Sequence, residues 1–543
     1  MKTINNRSSW ILSMATLFGI LVLALFLRMY NIENVPSGIY PDEAVNATDA
    51  LHALKTNHFK LFYENNQGRE GLFINLQALS LKFFGISVFA LKFWSMIFGT
   101  LTVLGVYLLA QEIWHKRTVS LIGAYFIAVS FWAINFSRIG FRAIMVPFLL
   151  SFSLYYFIRG LRTKSFVSFG LSGFIFALGL HTYIAFRLAP LILIFFLIGL
   201  ILSYKNFLKI YWRHALTFIA CAFIAAAPMF YDFYTYPEHF NSRAAHVSIF
   251  SPEINHGDFW GTLFKTLGLS LIKYNFVGDQ NFRHNYAPYP ILDPITSIAF
   301  LVGFLYLIPR TINLLIRRLR DKDRNKELSI NFLFLGWFFT MLMPEFLTDE
   351  GLPHALRAIG TIPVVFLIAA TPFLWVSEKL KHAKPGMKII IISSFAFLLI
   401  GLGLFNAIKY HIFYANNPKQ HESFNENFKN MAIYLEALPK ETKKYVYVSS
   451  GGILPENNLP IAAQPIAFLT YDKNLDITWL QPRYRADGSL EMPAIEAPSI
   501  IVLMNNDGNF IDAIKQAYPH TSEESVDLHP GYKSDFLMLR VEK

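Results

Sequence analysis

The feature that most constrains this chain is a succession of apolar runs, each roughly 17 to 25 residues long and almost free of charge. A run of that length coiled as a helix crosses the hydrocarbon core of a bilayer, because its backbone polar groups are satisfied within the segment. About eleven such runs are legible, near residues 10–29, 86–110, 118–136, 144–160, 166–183, 188–204, 214–231, 291–309, 330–347, 357–376 and 388–406. Composition agrees, since 54% of the 543 residues are hydrophobic and only 16% are charged, with Phe alone contributing 53. The expected fold is an all-α polytopic membrane protein over residues 1–406, followed by a smaller domain over residues 407–543.

Orientation follows from the basic residues, which collect in every second loop: Lys116 and Arg117; Arg159, Arg162 and Lys164; Lys205, Lys209 and Arg213; Arg310 to Lys326; Lys379, Lys381, Lys384 and Lys388. The positive-inside rule makes these loops cytoplasmic, so the formal charge of +11 reports topology and no nucleic acid partner is implied. The first run has Lys2 and Arg7 upstream and no small-residue cleavage pattern after it, which reads as an uncleaved signal anchor in a plasma (inner) membrane. An odd number of spans then places residues 407–543 on the extracytoplasmic side. The single cysteine, Cys221, lies inside an apolar run and excludes an intramolecular disulfide.

Three segments project from the bundle on that outer face: residues 30–85, residues 232–290, and the tail. Within the first, Phe73 to Leu79 is an amphipathic stretch expected to lie along the interface. The second is rich in Tyr, His, Pro and Asn. The tail alternates helical patterns (Glu422 to Leu438, Phe510 to Tyr518) with strand patterns (Tyr445 to Ser449, Ile500 to Met504), which predicts a small extracytoplasmic α/β domain.

The polar residues of the outer face carry the chemistry. Tyr40-Pro41-Asp42-Glu43-Ala44 places two adjacent carboxylates just past the first span. They suit the start of a helix, and one of them equally suits a general base, or a metal ligand, for a hydroxyl or amine attacking a sugar. Glu70 follows in Arg69-Glu70-Gly71, where an ordinary loop ion pair is the plainer reading. Arg138 and Arg142 lie four apart in a very short outer turn, against the charge bias of that face. Either could snorkel to lipid headgroups, but phosphate is the natural partner of a guanidinium fork. Arg187, His354 and Arg357 occupy two further outer turns. Carboxylates and arginines thus converge on one rim of a bundle whose interior is nearly uncharged, a pattern that points to function.

These motifs, the Asp42-Glu43 pair, the Gly68-Arg69-Glu70 turn, Ser137-Arg138-Ile139-Gly140-Phe141-Arg142 and Gly351-Leu352-Pro353-His354-Ala355-Leu356-Arg357, resemble those of bacterial glycosyltransferases of the protein O-mannosyltransferase and aminoarabinose-transferase superfamily. The resemblance covers the first ten spans and fades over residues 407–543. It implies the GT-C fold, two interfacial helices in the first outer loop, and an outward active site fed by a polyprenyl-phosphate sugar donor. It also implies Asp42 at the reaction centre and Glu70 at a second acidic position, where Gly71 stands in place of the proline common among members. Arg138 and Arg142 are the implied phosphate-binding residues, with Arg357 and His354 next.

The resulting expectation is a membrane glycosyltransferase that moves a sugar from the lipid-phosphate donor to a lipid, cell-envelope glycan or protein acceptor by inverting displacement. The alternative is a transporter or flippase of lipid-linked sugars, for which midplane ionisable residues or internal repeats are the usual marks. Neither is evident here. No His-x-x-x-His or Cys-x-x-Cys metal spacing occurs, so no metal site is predicted and no cofactor is implied, while a divalent cation at the carboxylate pair stays open.

Overall fold

Apolar length becomes helix as expected. Among the described residues of the computed structural model, 2–241, 248–449, 452–483 and 490–542, nine helices are long and apolar enough to cross a membrane. They are Trp10–Met29, Val88–Trp114, Arg142–Thr163, Ile184–Ser203, Phe207–Thr235, Pro294–Arg320, Lys326–Phe346, Ile359–His382 and Pro385–Tyr414. Their outward faces are greasy: Phe223, Ile224, Ile389, Ile390 and Phe397 are all exposed. That is the surface a bilayer requires of a spanning helix. The chain is a multi-pass membrane protein.

The other two of the eleven expected runs are helical but shorter. In the run at 118–136 the helix Arg117–Val129 stops at Ser130, whose backbone is extended, and a separate helix follows at Phe131–Phe136. The carbonyls released at the break are met by the guanidinium of Arg28, which donates to Ala128 O at 3.0 Å and Ile127 O at 3.4 Å. A buried helix end without such partners would be costly. The run at 166–183 forms the helix Phe166–Leu178 and then tightens into the 3₁₀ turn Gly179–His181.

Two contact units emerge. Unit 1 comprises Met1–Tyr30, Gln67–Phe73 and Trp94–Ile412, and unit 2 comprises Asn31–Asn66, Ile74–Phe93 and Phe413–Lys543. Unit 1 holds most of the spans and shows local sequence logic at their ends. The helix Pro294–Arg320 starts from Asp293, whose side chain accepts the Thr296 N–H at 2.8 Å, and closes with Arg317, Arg318 and Arg320 in its last turn. Capping acceptor, proline at the first turn and cations at the C-terminal end all favour that register. Inside the unit, Lys273 and Glu345 form an ion pair with both side chains fully buried.

Unit 2 is built around a five-stranded sheet: β1 (Lys443–Tyr447), β2 (Ile477–Leu480), β3 (Ser499–Leu503), β4 (Thr521–Val526) and β5 (Phe536–Val541). The spatial order is β2-β1-β3-β5-β4. β2, β1 and β3 run parallel, and β5 and β4 are antiparallel to their neighbours. Strand alternation sends Val446, Ile500, Val502 and Met538 to one face, under Phe428, Met431 and Leu435 of the helix Glu426–Ala437. Tyr447, Ile501, Leu503 and Leu539 go to the other face, under Phe510, Ile511 and Ile514 of the helix Gly508–Ala517. A sheet covered on both sides needs apolar residues at both parities, which is why β3 reads as an unbroken apolar run. Both helices and both strands expected in the tail are present within a few residues of their expected bounds, while β2, β4 and β5 have weaker sequence patterns.

The helix Pro41–Thr56 also belongs to unit 2. Its Ala44, Ala47, Ala50 and Leu51 share a core with Ile74, Ala78 and Leu81 of the helix Leu72–Phe84 and with Phe468 of the short helix Gln464–Leu469.

Candidate functional site

The candidate residues fall into separate groups, one in unit 2 and the others in unit 1. In unit 2, Pro41 opens the helix with its fixed φ, and Asp42 and Glu43 occupy the first turn, where carboxylates meet the positive end of the helix dipole. The two acids are not equivalent, because Glu43 is fully buried whereas Asp42 is partly exposed. At about 100° per residue, Asp42, Asn46 and Asp49 lie along one stripe of the helix. Two consecutive asparagines grip that stripe: Asn66 Nδ2 donates to Asp42 Oδ1 at 2.6 Å and Asn65 Nδ2 donates to Asp49 Oδ1 at 2.9 Å. Asn66 has φ 50°, a left-handed conformation that Asn tolerates. Asp42 is thus oriented by an amide. Sequence reasoning missed Asp49, although its position seven residues after Asp42 in a helical frame was the available signal.

In unit 1 the structure brings Glu70, Arg142 and Arg187 together. Glu70 is 2% exposed, and it accepts from Arg142 Nε at 2.9 Å and Arg187 Nη2 at 3.4 Å. Arg142 leads the 3₁₀ turn Arg142–Ile144 that feeds the helix Met145–Thr163, and its guanidinium lies 5.5 Å from the centre of the Tyr183 ring. Arg187 sits in the turn Ile184–Leu188, donates to the carbonyl of Phe240, and packs over the rings of Phe233 and Phe240 at 5.0 and 4.8 Å. Two guanidiniums against one carboxylate leave the cluster with net charge +1. An anion is the partner such a cluster attracts.

Arg138 is engaged differently. It is fully buried and donates to the carbonyls of Leu27 at 3.0 Å and Arg28 at 2.8 Å, in the last turn of the helix Lys2–Met29, with the Tyr410 ring 5.4 Å away. A cation on terminal carbonyls caps a helix.

The last group lies in the turn before Ile359. Arg357 donates to Thr348 Oγ1 at 2.6 Å and to Glu350 Oε2 at 2.6 Å. His354 donates its backbone N–H to Glu345 Oε1 at 2.9 Å, and its ring lies 4.7 Å from that of His284. His284 Nδ1 donates to Asp279 Oδ2 at 3.0 Å, and the same oxygen accepts the Ala355 N–H at 2.7 Å. Asp279 and His284 went unnoticed in the sequence because the 354–355 turn that they meet lies some seventy residues on. The donor atoms of Asp279, His284 and His354 lie within 4.8 Å of one another, so the residue types suit a metal. Burial pushes the His354 imidazole well below its ordinary value, and His284, Arg357, Lys273 and Arg283 add to that depression. Both oxygens of Asp279 are already hydrogen-bonded, Oδ1 by the Asn281 N–H at 2.8 Å. The trio forms a hydrogen-bonded clasp between the 279–284 loop and the 354–355 turn.

With this geometry in hand, comparison with solved structures is decisive for the fold. ArnT from Cupriavidus metallidurans bound to undecaprenyl phosphate superposes on the chain with a TM-score of 0.53, covering 98% of each chain at 11% identity. Its apo form gives the same score at 12% identity. The fold is GT-C. A family model, dolichyl-phosphate-mannose-protein mannosyltransferase, matches residues 72–231 of this GT-C chain, less than a third of its length. The Archaeoglobus fulgidus oligosaccharyltransferase, solved tethered to an acceptor peptide, aligns at 15% identity over 84% of this chain with a TM-score of 0.48. The chain spans only 63% of that protein's length. A sequence comparison with curated proteins found no match.

Proposed function

We propose that the chain is a membrane glycosyltransferase that takes a sugar from a polyprenyl-phosphate donor and passes it, with inversion, to an acceptor on the extracytoplasmic face. The acceptor is a lipid, a cell-envelope glycan or a protein. The observation that carries this reading is the full-length GT-C likeness to a protein solved with undecaprenyl phosphate, joined to an oriented carboxylate at the helix start where the reaction centre is expected. The family match over residues 72–231 supports it.

In this reading Asp42 takes the proton from the acceptor hydroxyl or amine as that group bonds to the anomeric carbon. The bond from that carbon to the phosphate oxygen breaks, and polyprenyl phosphate leaves. Glu43, fully buried behind Asp42 in the same helical turn, supports it, and Glu70 holds Arg142 and Arg187 ready for the phosphate charge. Arg138, His354 and Arg357 are further donor-side residues, acting from the turns they brace. The tail over residues 407–543 lies on the extracytoplasmic side and shapes acceptor binding without performing the transfer.

The test begins with cells lacking the protein. Mass spectrometry of their lipids identifies the polyprenyl-linked sugar that accumulates, and that lipid is then given to purified protein in nanodiscs. Consumption of the lipid with release of polyprenyl phosphate is expected. Movement of the intact lipid across the bilayer without cleavage would instead establish a flippase.

A further inference from the structure

The helix Pro41–Thr56 has a second functional face. Thr48, His52 and Lys55 recur at helical spacing and, at about 100° per residue, lie roughly 120°, 80° and 140° round the helix from Asp42, to one side of the acidic stripe. With Glu456, Asn457 and Tyr471 they line a cavity of about 300 Å³ that lies wholly within unit 2.

The walls of this cavity are fixed from behind. Gln464 is fully buried, its Oε1 accepts from Thr48 Oγ1 at 2.7 Å and from Asn457 Nδ2 at 2.9 Å, and its Nε2 donates to Leu459 and Pro460 carbonyls at 3.2 Å. Asn65 Nδ2 donates to Glu456 Oε2 at 2.7 Å. A polar site whose side chains are already locked binds at low entropic cost. Tyr471, 53% exposed, and the buried Phe468 also line the cavity. An aromatic face with a carboxylate, an ammonium and an imidazole around it matches one chemistry well: a pyranose ring, apolar on its C–H face and hydroxylated at its edge. The volume is at the low end for ligand cavities, which suits a single sugar residue.

We infer that this cavity is a carbohydrate-binding site, sized for one hexopyranose, on the face of the Pro41–Thr56 helix that Asp42 does not use. It rests on the transferase reading only in making the occupant a sugar residue of the acceptor glycan. Binding itself is independent of transfer.

Full-length protein in nanodiscs is examined by saturation-transfer difference NMR with the methyl glycosides of glucose, galactose, mannose and N-acetylglucosamine, against empty nanodiscs. At least one glycoside is expected to bind with Kd near about 1 mM, roughly −4 kcal/mol. Tyr471→Ala should weaken that binding at least about tenfold, or 1.4 kcal/mol. Glu456→Gln should weaken it less, and Asp42→Asn should leave it unchanged while lowering transfer at least about 100-fold. Because Tyr471 is on the surface, its loss leaves the fold intact, and an unchanged melting temperature verifies this. Absence of saturation transfer from all four glycosides, or binding that survives both Tyr471→Ala and Glu456→Gln, overturns the site. Near-wild-type transfer in Asp42→Asn overturns the catalytic reading and leaves this one standing.

Discussion

Glu70 in unit 1 and Asp42 in unit 2 are both carboxylates beside a hydrogen-bonded turn, yet they keep opposite company. Glu70 is nearly sealed from solvent between two guanidiniums, whereas Asp42 is partly exposed and is held by an amide. Glu70 has one oxygen on each arginine, Oε2 on Arg142 and Oε1 on Arg187, which makes it an anchor for both. Asp42 is held through one oxygen by an amide, which fixes its direction. In the proposed mechanism this difference separates a positioning acid, Glu70, from a reacting one, Asp42.

The most severe break in that comparison is Glu70→Gln. Removing one partner of a buried ion pair strands the others, at a cost of about 3–5 kcal/mol. The variant should show a clearly lowered melting temperature in detergent, and bound polyprenyl phosphate should restore part of it by supplying the missing negative charge. A melting temperature equal to wild type would mean that Glu70 does not anchor Arg142 and Arg187.

Asp42→Asn should do the reverse. The shape and the Asn66 contact site are retained while the base is lost, so turnover should fall at least about 100-fold with near-normal expression and melting temperature. Glu43→Gln should cost less turnover. Near-wild-type turnover in Asp42→Asn would end its assignment as the base.

Arginine-to-lysine changes sharpen the contrast at smaller scale. Arg142→Lys removes the guanidinium fork facing Glu70 and should raise the donor KM several-fold. Arg138→Lys disturbs the two carbonyl bonds at a helix end, worth about 1–2 kcal/mol, and should lower the melting temperature with a smaller rise in donor KM than Arg142→Lys gives. Equal KM effects for both would assign phosphate contact to Arg138 as well.

The smallest effect is a pH dependence at the clasp. Burial holds His354 neutral well below its ordinary value of 6.5, so below pH 6.5 the unfolded chain binds a proton that the folded chain refuses. Stability is fully present above that pH and declines as pH falls, by at most about 1.4 kcal/mol per pH unit. His354→Asn should flatten the fall in melting temperature between pH 6.5 and 5. An unchanged slope would show that His354 takes no part in it.

Particular residues show where sequence reading succeeds and stops. Glu70, Arg142 and Arg187 were each suspected from charge on an apolar rim, but only folding showed that a single carboxylate serves both arginines. Arg28, at the end of the first span, gave no hint that it caps the break at Ser130 over a hundred residues away. Strand β4, Thr521–Val526, carries Ser, Glu and Glu in its centre and pairs on one side only, with β5, which hides it from any search for apolar alternation. Strand β3, apolar at both parities, was plain.

What the sequence determined by itself is whatever depends on local composition: membrane-spanning length, charge bias between loops, helix starts at proline and acid, and the periodicity of the tail. These are set by the cost of exposing backbone and charge to lipid, which acts on each segment separately. What only the tertiary structure decided is which charge meets which. The Asp42 stripe with Asn65 and Asn66, the Glu70 anchor, the Asp279 clasp and the Gln464 brace each join residues whose attraction is short-ranged, and sequence separation carries no record of that distance.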